Sequence, residues 1–419
     1  MASTDIRRSI EAVWRIEQAR LVAGLVRLLR DVGLAEEFAQ DALVAALEHW
    51  PRTGMPDNPG AWLMATAKHR ALDRLRRHAL IERKHGELAL EAEEATEPDH
   101  ESTLDDDVGD DLLRLIFIAC HPVLPAEARL ALTLRLIGGL TTGEIARAFL
   151  APEATVAQRI VRAKRTLAEA AVPFELPRGA DREARLSSVL QVIYLIFNEG
   201  YSATAGDDWM RPGLCDEAMR LGRILAGLVP EEPEVHGLLA LMELQASRTA
   251  ARTGPAGEPV LLLDQDRGRW DKLLIRRGLA ALARAEALGG ARGPYALQAA
   301  LAACHARART AEATDWARIV ELYAVLAEVM PSPIVELNRA VAVGMAAGPT
   351  AGLELVDALA GEPTLAGYHL VPSVRGDLLR KLGRYDEARV EFERAAALTR
   401  NGRERSLLLE RAASVSTPG

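Results

Sequence analysis

Apolar side chains recur along this chain at the three- and four-residue spacing of helices, and the long Val/Ile/Thr alternation of a half-buried strand is absent. The pattern predicts an almost wholly helical, all-α protein. Ile10, Val13, Trp14, Ala19, Leu21, Leu25 and Leu28 set a first helix over 8–30, ending at Asp31-Val32-Gly33. A second, about 35–49, sets Phe38, Ala42, Leu43 and Leu47 against an acidic edge of Glu36, Glu37 and Asp41. Three prolines and two glycines then predict a fixed loop over 51–60. The next helix, 61–77, carries Leu63, Met64, Ala67, Ala71 and Leu75 on one side. Its other side carries Trp62, Thr66, His69, Arg70, Asp73, Arg76 and Arg77. A ring within a cationic face suits unpaired nucleotides, because rings stack on bases while arginines hold phosphates. A tryptophan there serves equally to pack on a neighbouring helix, and both readings stand.

Residues 140–167 predict two helices joined by a tight turn. Thr141 and Glu144 form a capping box, so the first helix begins near Thr142. Leu150-Ala151-Pro152 breaks it, and Pro152 suits the first position of the next helix because no N–H is needed there. At about 100° per residue, Val156, Ile160, Ala163 and Leu167 share one narrow apolar arc. Opposite them lie Thr155, Gln158, Arg159, Arg162, Arg165 and Thr166. Arginine and glutamine beside a tight turn can bond base edges and phosphates in a major groove. A basic solvated hairpin would share the composition; box, turn and opposed arcs together favour a DNA reader.

Charge divides the chain further. The net charge is −8, but residues 1–86 hold 14 Lys/Arg against 11 Asp/Glu, residues 87–111 none against 12, and residues 112–178 nine against five. Two mildly basic blocks flank an acidic stretch that cannot bury a core and is expected to be a linker.

In this order, the first 175 residues resemble a bacterial sigma factor of the extracytoplasmic-function (ECF) group. Residues 35–51 resemble that family's core-polymerase-binding helix, with its Gln40-Asp41 pair. Residues 58–77 resemble its promoter-melting and minus-10 segment, and residues 140–167 its minus-35 helix-turn-helix. Leu150, where the family's turn usually has glycine, and Glu153, a carboxylate near phosphates, depart from the pattern. The resemblance implies a region 2 domain over 1–86, a linker over 87–111 and a region 4 domain over 112–175. It implies docking on the beta and beta-prime subunits of core RNA polymerase through Glu37, Gln40 and Asp41. Promoter DNA would be held by Asn58, Trp62, Thr66, His69, Arg70, Arg76 and Arg77, and by Thr155, Gln158, Arg159, Arg162 and Arg165. The loop over 51–58 would capture an extruded minus-10 base. Such a chain is a specificity subunit and not an enzyme.

Residues 179–419 exceed that minimum and read as paired helices. Residues 376–398 resemble one tetratricopeptide repeat, with Gly376 at a close approach, Gly383 and Tyr385 at the turn, and Ala388, Phe392 and Ala395 as a packing stripe; Arg400 stands where a closing proline is usual. Five or six helix pairs are expected, forming a stack that binds protein segments or docks on the preceding domains as a built-in regulator. Asn198-Glu199-Gly200-Tyr201 with Asp207-Asp208-Trp209, and Asp264-Gln265-Asp266-Arg267 before Trp270-Asp271, interrupt the apolar pattern. They resemble signature segments of the sigma subgroup with this extension, and serve either as caps and ion pairs or as a regulatory site.

Cys120, Cys215 and Cys304 lie far apart, without metal-ligand spacing, and read as structural thiols of a reducing compartment. No catalytic cluster, metal site or cofactor motif accompanies them. With no signal peptide and no apolar run near the roughly 18 residues of a span, the chain is expected to be cytoplasmic and off the membrane. The competing reading is a helix-turn-helix activator with a repeat-type sensor tail.

Overall fold

The computed structural model describes residues 2–85, 104–149, 151–202, 210–255, 257–359 and 361–415. Every regular element among them is helical, and the β-contact is an isolated bridge between Thr253 and Pro259. The chain divides into two compact units, Met1–Val192 and Ile193–Gly419.

The first unit opens with α1 (Ala2–Leu29), α2 (Val32–Thr53) and α3 (Pro59–His85). Arg30, at φ 57°, reverses the chain, and the Asp31 carboxylate accepts the Leu34 N–H at 2.8 Å to start α2. The helix therefore begins three residues before its expected start, with Gly33 in its first turn. It also runs through Pro51, which removes only one donor near the helix end. Gly54, at φ 85°, stops it, and the expected loop shrinks to 54–58. Ala35, Ala39, Ala42 and Ala46 lie buried along α2, and such small side chains let the apolar ridges of its neighbours approach closely. Leu63, Ala67 and Ala71 close the core from α3.

The unit continues with α4 (Leu104–Ala119), α5 (Ala126–Leu136), α6 (Thr142–Ala148) and α7 (Glu153–Glu169). Helix α4 starts inside the stretch expected to be linker. Carboxylates in a first turn complement the positive helix N-terminus, so acidic composition there is compatible with helix. Asp111, assigned to the solvated linker, is instead buried, 2.7 Å from Arg114 and 3.3 Å from Arg27 of α1. The division between the units falls within α8 (Gly179–Tyr201). In the first unit, Ser188 of this helix donates to the Cys120 carbonyl at 2.6 Å.

The second unit holds ten further α-helices among its described residues, besides short 3-10 turns. They are α9 (Pro212–Leu228), α10 (Pro233–Ala246), α11 (Lys272–Ala287), α12 (Pro294–Arg307), α13 (Trp316–Val329), α14 (Pro333–Ala346), α15 (Pro349–Ala358), α16 (Leu370–Lys381), α17 (Tyr385–Leu398) and α18 (Gly402–Ser414). Five of these begin on proline, whose fixed φ is already helical and whose missing N–H is not needed there. From α12 onward each helix packs on the next, and the core divides accordingly into local clusters. Gly383, at φ 76°, turns α16 into α17, while Gly376 lies so close to Phe392 that an added Cβ would sit 3.0 Å from its ring. Ala388, Phe392 and Ala395 form the buried stripe. No described helix is long and apolar enough to cross a membrane.

Helices α14 and α15 meet backbone to backbone, where a Cβ on Gly352 would lie 2.8 Å from Gly344 Cα and 2.9 Å from the Ala340 carbonyl oxygen. Backbone cannot yield as a flexible side chain can. Gly352→Ala is expected to destabilise the chain by about 1–3 kcal/mol, read as a lower denaturant midpoint.

Candidate nucleic-acid interface

The helix-turn-helix is built as its local chemistry dictates. Thr141 Oγ1 accepts the Glu144 N–H at 3.1 Å, while Glu144 Oε2 accepts the Thr141 N–H at 2.7 Å. The Ala151 N–H reaches the Ala146 carbonyl at 2.9 Å and closes the turn. Pro152 sits one place earlier than expected, as the residue preceding α7; Leu150 lies outside the described residues. Val156, Ile160, Ala163 and Leu167 are buried beneath α7.

Gln158, Arg162 and Arg165 of α7 are exposed, and Thr155 and Arg159 are half-buried. Arg165 bonds Glu169 at 2.6 Å, and Arg159 bonds Glu127 of α5 at 2.7 Å. Arg159 is therefore held by a carboxylate that the sequence did not connect to it. Val161, 65% exposed, stands between Gln158 and Arg162. It was missed because a single apolar residue carries no periodic signal, yet an exposed methyl pair on a groove-reading face suits a thymine methyl.

On α3, Trp62 is half-buried, its ring edge-on to Trp50 at 5.3 Å and 6.4 Å from His49. It both packs on α2 and keeps exposed surface. Asn58 accepts the Ala61 N–H at 3.1 Å, so it caps α3. Thr66 is half-buried, His69 is exposed beside Asp73 at 3.4 Å, and Arg76 is exposed. The side chains of Leu75 and Arg77 lie outside the described residues.

The edge of α2 shares charges with this face. Arg70 bonds the Asp41 carbonyl at 2.9 Å, and Arg74 meets Glu37 at 2.8 Å while lying 5.8 Å from the Phe38 ring centroid. Gln40 donates to Glu36 at 3.0 Å. Val44 and Leu47, 49% and 39% exposed, continue the strip of Glu37, Gln40 and Asp41 at helical spacing. Leu47 is thus a surface residue and not the packing residue expected.

Glu36 is the reverse case. Expected on a solvated acidic edge, it is 4% exposed and bridges modules: Arg135 of α5 at 2.6 Å and Lys164 of α7 both pair with it. Arg135 also donates to the Leu140 carbonyl at 3.2 Å, and Gln18 of α1 donates to the Arg135 carbonyl at 3.1 Å. A helix wheel places Glu36 correctly relative to Glu37 but cannot see a partner a hundred residues away.

In the second unit, the two polar segments converge on arginines. Arg252 donates to the Tyr201 carbonyl and lies 3.6 Å from that ring's centroid, while Arg248 lies within 6 Å of both Tyr201 and Trp270. Arg267 stacks on Trp270 at 4.8 Å and donates to the carbonyls of His305 and Ala308. Burial, together with Arg248 and Arg267, pushes the His305 imidazole down to about 4. Glu199 pairs with Arg211, Gln265 donates to the Val260 carbonyl at 3.1 Å, and Asp266 caps the turn at Gly268 at 2.8 Å. Asn198 and Asp264 are exposed; Asp207, Asp208 and Trp209 lie outside the described residues. All three cysteines are buried, and burial pushes the Cys120 and Cys215 thiols up to about 12, consistent with inert structural thiols. No group of His, Cys, Asp and Glu among the described residues is arranged to hold a metal ion.

The geometry is that of a helix-turn-helix DNA-binding protein with a second helical module before it and a long helical tail after it. Residues 14–81 match Sigma-70 region 2 and residues 114–167 match Sigma-70, region 4, and the chain belongs to the sigma-70 family as an RNA polymerase sigma factor. Residues 185–286 match a family of unknown function (DUF6596). The chain is 47% identical over 390 residues, 91% of its length and 90% of the relative's, to an uncharacterized protein of Rhizobium meliloti (strain 1021). No solved structure matches it significantly.

Removing the Glu36 carboxylate leaves two cations facing each other in a nearly closed site. Glu36→Ala is expected to lower stability by about 2–3 kcal/mol, less than a fully buried pair because the cations keep some exposure. Chemical denaturation of the full chain reads this; an unchanged midpoint would mean that the bridge contributes nothing net.

Proposed function

We propose that this sigma factor is of the extracytoplasmic-function type, directing core polymerase to a promoter with two DNA-binding modules. The observation that carries this is the exposed Gln158-Val161-Arg162 patch on a helix whose opposite face is buried, together with a half-exposed Trp62 on a separate cationic helix. The first suits paired bases and the second unpaired ones. The α2 strip of Glu37, Gln40, Asp41, Val44 and Leu47 is the proposed docking surface for the beta and beta-prime subunits, combining carboxylates with exposed apolar surface.

Run-off transcription with purified core polymerase, this chain and its promoter is the test. Initiation without any other sigma factor is expected; failure, with activity only when another sigma factor is added, would favour the activator reading. Arg162→Ala is expected to weaken promoter binding by about 1–3 kcal/mol, roughly five- to 150-fold, with core binding unchanged. Trp62→Ala should instead reduce strand opening, followed by permanganate reactivity of unpaired thymines, while duplex binding by α7 persists.

We further infer that the second unit is a tetratricopeptide-like regulator acting within the chain. The nearest-neighbour packing of α12 to α18 and the α16–α17 hairpin, with Gly376, Gly383 and Phe392 in their roles, support it. Deletion from residue 178 would be a poor test, because it removes Ser188 and its bond to Cys120 in the first unit. Tyr201→Ala in the full chain leaves that contact intact. Altered run-off yield at unchanged core affinity is expected, and unchanged yield would end the regulatory reading.

A further inference from the structure

The second unit encloses a half-open cavity of about 640 Å³, between the segment 259–264 and helices α14, α16 and α18. That size is typical of small-molecule sites. One wall is apolar, with Val260 and Leu262 from the segment, Val341 from α14, Val374 and Leu378 from α16, and Leu407 from α18. The segment is pinned in place: the Val260 N–H donates to the Arg252 carbonyl at 2.8 Å, and its carbonyl accepts from Gln265. Leu261 and Leu263 also belong to the lining yet remain more than a third exposed, leaving apolar surface at the lip uncovered.

The polar wall is built around Asp377. Arg411 bonds its carboxylate at 2.6 Å, Lys381 at 2.9 Å and Arg380 at 3.2 Å. Three cations thus share one carboxylate. Two guanidiniums and an ammonium bring about thirteen N–H donors, against about four lone-pair positions on Asp377. With Asp264 at the lip, the lining carries two carboxylates and three cations and so one net positive charge. Arg411 is held rigidly, its guanidinium 4.3 Å from the centroid of the Phe392 ring.

We propose that this cavity binds an amphipathic organic monoanion, its apolar body against Val341, Val374 and Leu407 and its acidic head on the cations gathered by Asp377. A lining that sets apolar side chains of α16 and α18 next to cations on the same helices, Val374 and Leu378 beside Lys381 and Leu407 beside Arg411, selects for both halves of such a molecule. A neutral chain would leave the cation excess unmatched, and a cationic one would be repelled. The segment Asp264–Arg267 then acquires a physical role, because Gln265 holds the cavity wall.

Calorimetric titration of the full-length chain with decanoate, with decan-1-ol and decylamine as neutral and cationic matches, tests this. Binding is read without polymerase or DNA, so it stands or falls apart from the sigma role. Decanoate is expected to bind at least tenfold more tightly than decan-1-ol, and decylamine not at all. Val374→Trp, which fills the cavity, should abolish decanoate binding. Lys381→Gln, at a partly exposed position where unfolding is not a concern, should weaken it about tenfold. No binding of decanoate, equal affinity for the alcohol, or decanoate binding unaffected by both substitutions would overturn the proposal.

Discussion

One nearly buried carboxylate ties the first unit together. Glu36 lies on α2 of the leading module, and its two cations lie on α5 and α7 of the helix-turn-helix module. Taking a carboxylate out of water is unfavourable by several kcal/mol unless it is paired, and here Gln40 and Arg135 bond one carboxylate oxygen while Lys164 forms an ion pair with the other. The modules are consequently not independent beads. Arg27 with Asp111 and Gln18 with the Arg135 carbonyl repeat the same device along α1. All of these contacts are polar and so directional, and they add a fixed geometry to the buried apolar residues that α1 and α4 contribute to the same core.

The second unit follows a different logic. Its cohesion is apolar and local, each helix covering the next from α12 onward, and two of its polar clusters gather several arginines each. One is the arginine and aromatic cluster of Arg248, Arg252, Tyr201 and Trp270; the other is the cation triad on Asp377. Arginine tolerates both settings because its flat, weakly hydrated guanidinium stacks on rings as readily as it bonds carboxylates. In this tail Tyr201, Trp270 and Phe392 thereby both pack and order charge.

Much of this was legible in the pattern of side chains. The all-α class, the capping box at Thr141, the buried arc of Val156, Ile160, Ala163 and Leu167, and the Gly383 turn each rest on local rules that a sequence displays directly. What escaped depended on distance. Glu36 and Glu37 are adjacent and chemically alike, yet one is buried and the other exposed, because only one faces Arg135 and Lys164. Asp111 was misassigned for the same reason, its partner Arg27 lying far away in sequence. Among the candidate DNA contacts, Arg159 and Arg70 were found as cations, but their carboxylate and carbonyl partners on neighbouring helices were not visible. The α4 start was lost because a run of acids reads as solvated chain, although a helix N-terminus accepts it equally well.

The internal pairing of the reading helix bears on how ionic strength acts on its encounter with a duplex. Of the outward arginines on α7, Arg159 and Arg165 already carry carboxylates, while Arg162 has none among the described residues. A cation that arrives pre-neutralised displaces fewer condensed counterions from the phosphate chain, so the salt slope of association tracks uncompensated charge and not the arginine total. In the proposed DNA-reading role of α7, Glu127 and Glu169 would act as dampers, trading raw attraction to any nucleic acid for a grip less sensitive to the surrounding electrolyte.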